Sequence, residues 1–126
     1  MTNHKETDLL ITLTPHERDS NNVTIAFTMA IAALKKGLSV NLVLLSDAVA
    51  LAQKGYGDKI DIGAPFKSIK ELLPTFLEMG GKLSVCTACM IHNGVKEESL
   101  LAEATMITAD DVIDLLMSSR KSLQLN

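Results

Sequence analysis

The stretch LSVNLVLL, residues 38–45, constrains the fold more than any other part of the chain. It is a nearly continuous β-favouring run rather than an alternation of apolar and polar residues. Runs of that kind fit strands buried on both faces, as in parallel sheets. The preceding segment, VTIAFTMAIAALKKG, residues 23–37, is rich in Ala and apolar over a wide face. It closes on Lys35, Lys36 and Gly37, and cations in a last turn followed by Gly mark a helix C-terminus.

The same alternation extends along the chain. DLLITLT, residues 8–14, is short, apolar and bounded by polar residues, and reads as a first strand. PHERDSNN, residues 15–22, is a polar loop with turn formers, and Asn22 is the expected cap of the first helix. After the second strand, Ser46 or Asp47 is placed to cap a short helix, AVALAQKGY. Residues 55–67 form a Gly-containing loop, and a loop of that length in a compact domain is often functional. Ser68 and Glu71 make an S-x-x-E capping box for a further helix, which either kinks at Pro74 or begins its regular part there. Gly80-Gly81 ends it, and KLSVC is a third strand. VKEESLLAE reads as a loop or short helical turn, and ATMIT as a fourth strand. Thr108 and Asp111 cap a last helix, and KSLQL is a fifth, terminal strand. Strands alternating with helices imply an α/β fold, a parallel sheet with helices on both faces. Met29, Met79, Met90, Met106 and Met117 read as core filler.

Composition narrows the function. A chain of 126 residues that is 47% hydrophobic and 21% charged has the makings of one domain, residues 1–126, with a real core. Its net charge of −3 and its scattered basic residues argue against a nucleic-acid partner, which calls for a basic face. Aromatic residues make up only 3%, too few for base- or sugar-stacking clefts. No apolar run approaches the ~18 residues of a membrane span. The N-terminus, MTNHKETD, is polar and without the apolar core of a secretory signal. Two cysteines are too few for a secreted disulfide framework. A cytoplasmic location is the expectation.

Both cysteines lie in KLSVCTACMIHNG, residues 82–94, where an apolar strand should give way to a helix. Ligands and catalytic groups of open α/β sheets gather at the carboxyl ends of strands, and Cys86 sits at such an end. There, free helix N–H groups and the helix dipole favour a thiolate, the reactive form of cysteine. Cys86 should therefore titrate below the ~8.5 of a free thiol, with Cys89 a turn further in. Three readings compete: a redox dithiol, one working thiol with a bystander, and part of a zinc site using Cys86, Cys89 and His92. Structural zinc wants four ligands, so the third leaves the coordination short, and neither a tightly bound metal nor a cofactor is expected. The plain alternative is that the thiols are small core residues, a reading that suits Cys89 better than Cys86. His92 is either a solvated side chain or an aid to proton transfer. Gly94 reads as a left-handed helix stop.

Two stretches carry a family resemblance: MAIAALKKGLSVNLVLLSDAVALAQKG and GGKLSVCTACMIHNGV. The ending ATMITADDVIDLLMSSRKSLQL fits as well. Together they resemble the DsrE/DsrF-like family of TusD-related sulfur-relay proteins, over most of the chain. The resemblance implies a three-layer α/β/α domain of flavodoxin-like type with a mostly parallel five-stranded sheet. It implies self-association as trimers or hexamers, and protein partners that give and take sulfur. It also implies that the cysteine matching Cys86 carries sulfur as a persulfide; Cys89 matches a cysteine found in only part of the family. Two departures stand out. His92-Asn93-Gly94 replaces an Arg before the glycine, and TPHERDSNN replaces a Gly-rich turn.

Overall fold

The computed structural model describes residues 7–126. The first six residues, most of the polar N-terminus read above as lacking a signal, lie outside the described residues. Five strands form one all-parallel sheet: β1 Leu9–Leu13, β2 Val40–Leu44, β3 Lys82–Cys86, β4 Ala104–Ile107 and β5 Lys121–Leu125. Their order across the sheet is β4-β3-β2-β1-β5. Four α-helices connect them: α1 Ser20–Lys35, α2 Ile69–Glu78, α3 Thr87–Asn93 and α4 Ala109–Ser118.

The strand order dictates the layers. From β1 to β4 each connection steps the same way across the sheet. Right-handed crossovers therefore put α1, α2 and α3 on one face. The last connection runs back from one edge strand to the other, so α4 must cross the opposite face. The packing agrees. Ile11, Leu13, Leu42, Leu44, Leu83 and Val85 bury against α1 and α2, whose Phe27 and Phe76 meet edge to face at 5.7 Å. On the other side Leu10, Val43 and Ile107 pack with Val112 of α4. Gly81 lies against the Phe76 ring, where any Cβ would collide with it.

Several local readings need correction. The first helix starts at Ser20, not Val23, because Asp19 rather than Asn22 is its cap; the Asp19 carboxylate accepts from the Asn22 N–H at 3.1 Å. Residues 46–52 form a 3-10 segment preceded by Leu45, with no side-chain cap. Asp47 instead accepts from Arg18, a partner brought in from the end of β1. Helix α2 starts at Ile69 and runs through Pro74. Of the five methionines assigned to the core, only Met90 is buried; Met29, Met79, Met106 and Met117 are exposed. Apolar character alone does not say which face of a helix, or which edge of a sheet, meets the core. The Thr108–Asp111 capping box forms in both directions, and Ser68 caps α2 by accepting from the Glu71 N–H. No helix of the described residues is long and apolar enough to cross a membrane.

Candidate functional site

Strand β3 ends at Cys86, which is at once its last residue and the N-cap of α3. The cysteine is extended, with φ −69° and ψ 118°, and buried at 6% exposure. Thr87 fixes the turn by donating its hydroxyl to the Ile107 carbonyl at the end of β4, 3.0 Å away. Helix α3 is two turns long and stops at Gly94, whose φ of 70° is the left-handed conformation that glycine adopts without a Cβ penalty. The Val95 N–H then closes back onto the Met90 carbonyl at 2.9 Å.

Cys89 lies one turn along α3 and is half-buried. Its placement corrects the expected depths: Cys86 is the more enclosed thiol and Cys89 the more accessible. Burial pushes the Cys89 thiol up from its ordinary value. A hydrogen bond with the Ser46 backbone pulls it down, and the neighbouring Cys86 sulfur pushes it up again through hydrogen bonding and charge. The charge on one sulfur therefore disfavours charge on the other. His92 is exposed, and no hydrogen bond among the described residues joins it to either sulfur. No group of three or more His, Cys, Asp or Glu side chains able to hold a metal ion occurs among the described residues.

The wall opposite α3 is the turn after β2, against which α3 packs. Ser46 there has φ 53°, a left-handed conformation that costs an L-residue roughly 1–2 kcal/mol. Asn93 bridges the gap, donating its side-chain amide to the Cys89 carbonyl at 2.8 Å and to the Ser46 carbonyl at 3.4 Å. Beside Ser46, Asp47 forms an ion pair with Arg18. Tyr56 donates its hydroxyl to Glu17 at 2.8 Å; burial and that carboxylate push the tyrosine up to about 12. Sequence reasoning missed Ser46 and Asn93 as site residues. A serine gives no advance sign of a positive φ, and Asn93 has meaning only once β2 and α3 are side by side.

Two cavities lie elsewhere. One of about 320 Å³ sits between α2 and the Gly55–Asp58 turn. The other, an open cradle of about 1350 Å³, lies over Asn41, Lys82, Ser84 and Thr105 beside α4. Neither is lined by the cysteines.

An all-parallel α/β sheet with a cysteine pair at the carboxyl end of a central strand defines an α/β protein of the thiol-bearing kind. The chain belongs to the DsrE/DsrF-like family, whose pattern matches residues 8–125; the family is broadly related to sulfur relay. Among curated proteins, the chain is 30% identical over 111 residues to the uncharacterized protein MJ0989 of Methanocaldococcus jannaschii, covering 88% of this chain and 91% of the relative. It is 27% identical over 95 residues to the uncharacterized protein MK0008 of Methanopyrus kandleri, covering 75% and 74%. Among solved structures, the YchN protein of E. coli matches with a TM-score of 0.74 at 20% identity, over 94% of this chain and 98% of that one. A protein of unknown function, MTH1491 of Methanobacterium thermoautotrophicum, matches with a TM-score of 0.72 at 10% identity, over 94% and 99%. At these identities the two structures speak for the fold alone.

Proposed function

We propose that the chain is a cytoplasmic sulfur carrier, with sulfurtransferase-like chemistry, that relays sulfane sulfur as a persulfide on Cys86. The observation that carries this reading is the position of Cys86, at the carboxyl end of a central parallel strand with a second thiol one helical turn on. Membership of the DsrE/DsrF-like family supports it. In the first step the Cys86 thiolate attacks the outer sulfur of a donor persulfide. A bond forms between that sulfur and Cys86, and the donor leaves as a thiolate. An acceptor thiolate then takes the outer sulfur in the same way and restores Cys86. In this reading His92, exposed on the same helix, assists proton transfer with solvent.

Incubation with a small persulfide donor followed by intact-mass measurement tests this. The parent chain should gain the mass of one sulfur, Cys86→Ser should gain none, and Cys89→Ser should keep the gain for longer. Loading of Cys86→Ser with none in Cys89→Ser would reverse the assignment. No loading in any of the three would leave the fold as an assembly subunit.

The spacing of the two free thiols, one turn apart where β3 becomes α3, favours one further reading, a dithiol redox couple without sulfur transfer. It requires reversible disulfide formation and no release of sulfide. The carrier is also proposed to assemble as a homotrimer or hexamer from a single-domain chain. The exposed Ile113 and Met117 of α4 and Met106 of β4 support self-association. Light scattering that returned a monomer at micromolar concentration would end that part of the proposal.

A further inference from the structure

The sheet face that α4 crosses holds an open cradle of about 1350 Å³, floored by Asn41 of β2, Lys82 and Ser84 of β3, and Thr105 of β4. Asn41 stands opposite Lys82 in the strand register, and Ser84 opposite Thr105. Paired residues of neighbouring strands point to the same side, so these four side chains share one surface. Asn41 and Lys82 lie at the amino ends of their strands, whereas Cys86 ends β3 at the opposite edge. The cradle is therefore separate from the cysteine pair.

Its central group is Asn41. The residue is only 6% exposed, and its side-chain oxygen accepts the Ser84 hydroxyl at 2.8 Å. Its amide N–H2 donates no hydrogen bond among the described residues. A buried donor in that state calls for an acceptor. An acceptor entering the cradle would meet it together with the Lys82 ammonium and the Thr105 hydroxyl, both on exposed residues. The rest of the lining bears the opposite charge. Asp114 reaches the cradle from α4 and Glu103 from the turn before β4, and neither carboxylate has a partner among the described residues. Asp111 also borders it, but its carboxylate is occupied by the Thr108 N–H and hydroxyl. No aromatic ring lines the cradle, which disfavours ligands held by stacking. From Asn41 on β2 to Thr105 on β4 the floor spans two strand spacings, roughly 10 Å. That is about the length of an extended tripeptide.

We propose that the cradle binds a short peptide with both termini free. The peptide carboxylate takes the Asn41 amide, Lys82 and Thr105, and its ammonium group goes to Asp114 and Glu103. This site is independent of the sulfur-relay reading and needs neither cysteine.

Trialanine with free termini is the probe, titrated calorimetrically into the protein as it assembles, beside trialanine acetylated at its amino end, amidated at its carboxyl end, or both. The free peptide should bind, and the doubly blocked one should not. Lys82→Gln and Asp114→Asn, both at exposed positions, should each weaken binding about tenfold, the worth of a hydrogen bond to a charged group. Asp114→Asn should have no further effect on the acetylated peptide, nor Lys82→Gln on the amidated one, because each partner is then already missing. The double variant Asn41→Leu with Ser84→Ala removes the buried donor without orphaning the oxygen and should weaken binding at least as much. Should that double variant not fold, the two surface variants read the same site. Equal binding of free and doubly blocked peptides would overturn the proposal, as would no binding at millimolar concentration, or binding that neither surface variant changes. Binding that fades as the protein concentration rises would mean that a second copy of the chain fills the cradle, and would overturn it too.

Discussion

On one face of the sheet, Ile11, Leu13, Leu42, Leu44, Leu83 and Val85 are buried under α1 and α2. On the other, Leu10, Val43 and Ile107 share the surface with Thr12, Asn41, Ser84 and Thr105, and α4 alone lies across it. The two faces solve the same burial problem differently. The first removes apolar area from water, at roughly 25 cal/mol per Å². The second pairs its polar groups: Ser84 donates to the Asn41 side-chain oxygen at 2.8 Å, with both residues less than a tenth exposed. A buried polar atom is tolerated where it has a partner and costly where it lacks one. The apolar face carries one such orphan among the described residues, the hydroxyl of Thr24, which is buried with no hydrogen-bond partner among them.

The largest effect should come from the apolar face. Phe76→Ala removes one ring of the Phe27–Phe76 contact and opens a cavity beneath α2, and should cost about 3–5 kcal/mol in urea denaturation. A loss below about 1 kcal/mol would mean that this face is not where the stability lies. Next comes the polar face. Ser84→Ala leaves the Asn41 oxygen unpaired and should cost about 1–3 kcal/mol, whereas the double change Asn41→Leu with Ser84→Ala should recover most of that loss. Equal losses for the single and double variants would contradict the pairing account.

Thr24→Val keeps the shape of the side chain and deletes the orphan hydroxyl. It should raise stability by about 1 kcal/mol, seen as a higher melting temperature. The smallest effect belongs to the exposed rim near the cysteines. The single tyrosine, Tyr56, should titrate at about 12 by ultraviolet absorbance, and Glu17→Gln should lower that value. Because the folded value is the raised one, the contribution of this group is fully present below the unfolded value near 10. It is lost as the pH rises from there through about 12.

Much of this architecture was legible beforehand because it depends on neighbours in sequence. The β3–α3 join at Cys86, the stop at Gly94 and the Thr108–Asp111 cap each follow from residues within four positions of one another, where spacing alone sets which groups can meet. The buried run that became β2 was equally local, since an apolar segment of that length has no solvent-facing side to offer. The exposed Met106 and Met117 were not legible, because helix α4 and strand β4 show their apolar outer sides only once the layer order is fixed.

The sequence by itself determined that the chain alternates strand and helix and that its two thiols stand one turn apart where β3 becomes α3. The tertiary structure alone decided what surrounds them. Arg18 meets Asp47 across 29 positions, and Asn93 meets Ser46 across 47. Contacts of that separation leave no periodic trace in the chain, since they arise from the parallel packing of β1, β2 and β3 and from the sheet bringing their carboxyl ends to one edge. The relative depth of the two cysteines is of the same kind. Helical spacing places Cys89 one turn beyond Cys86, but only the wall formed by the turn after β2 leaves Cys86 enclosed and Cys89 half open.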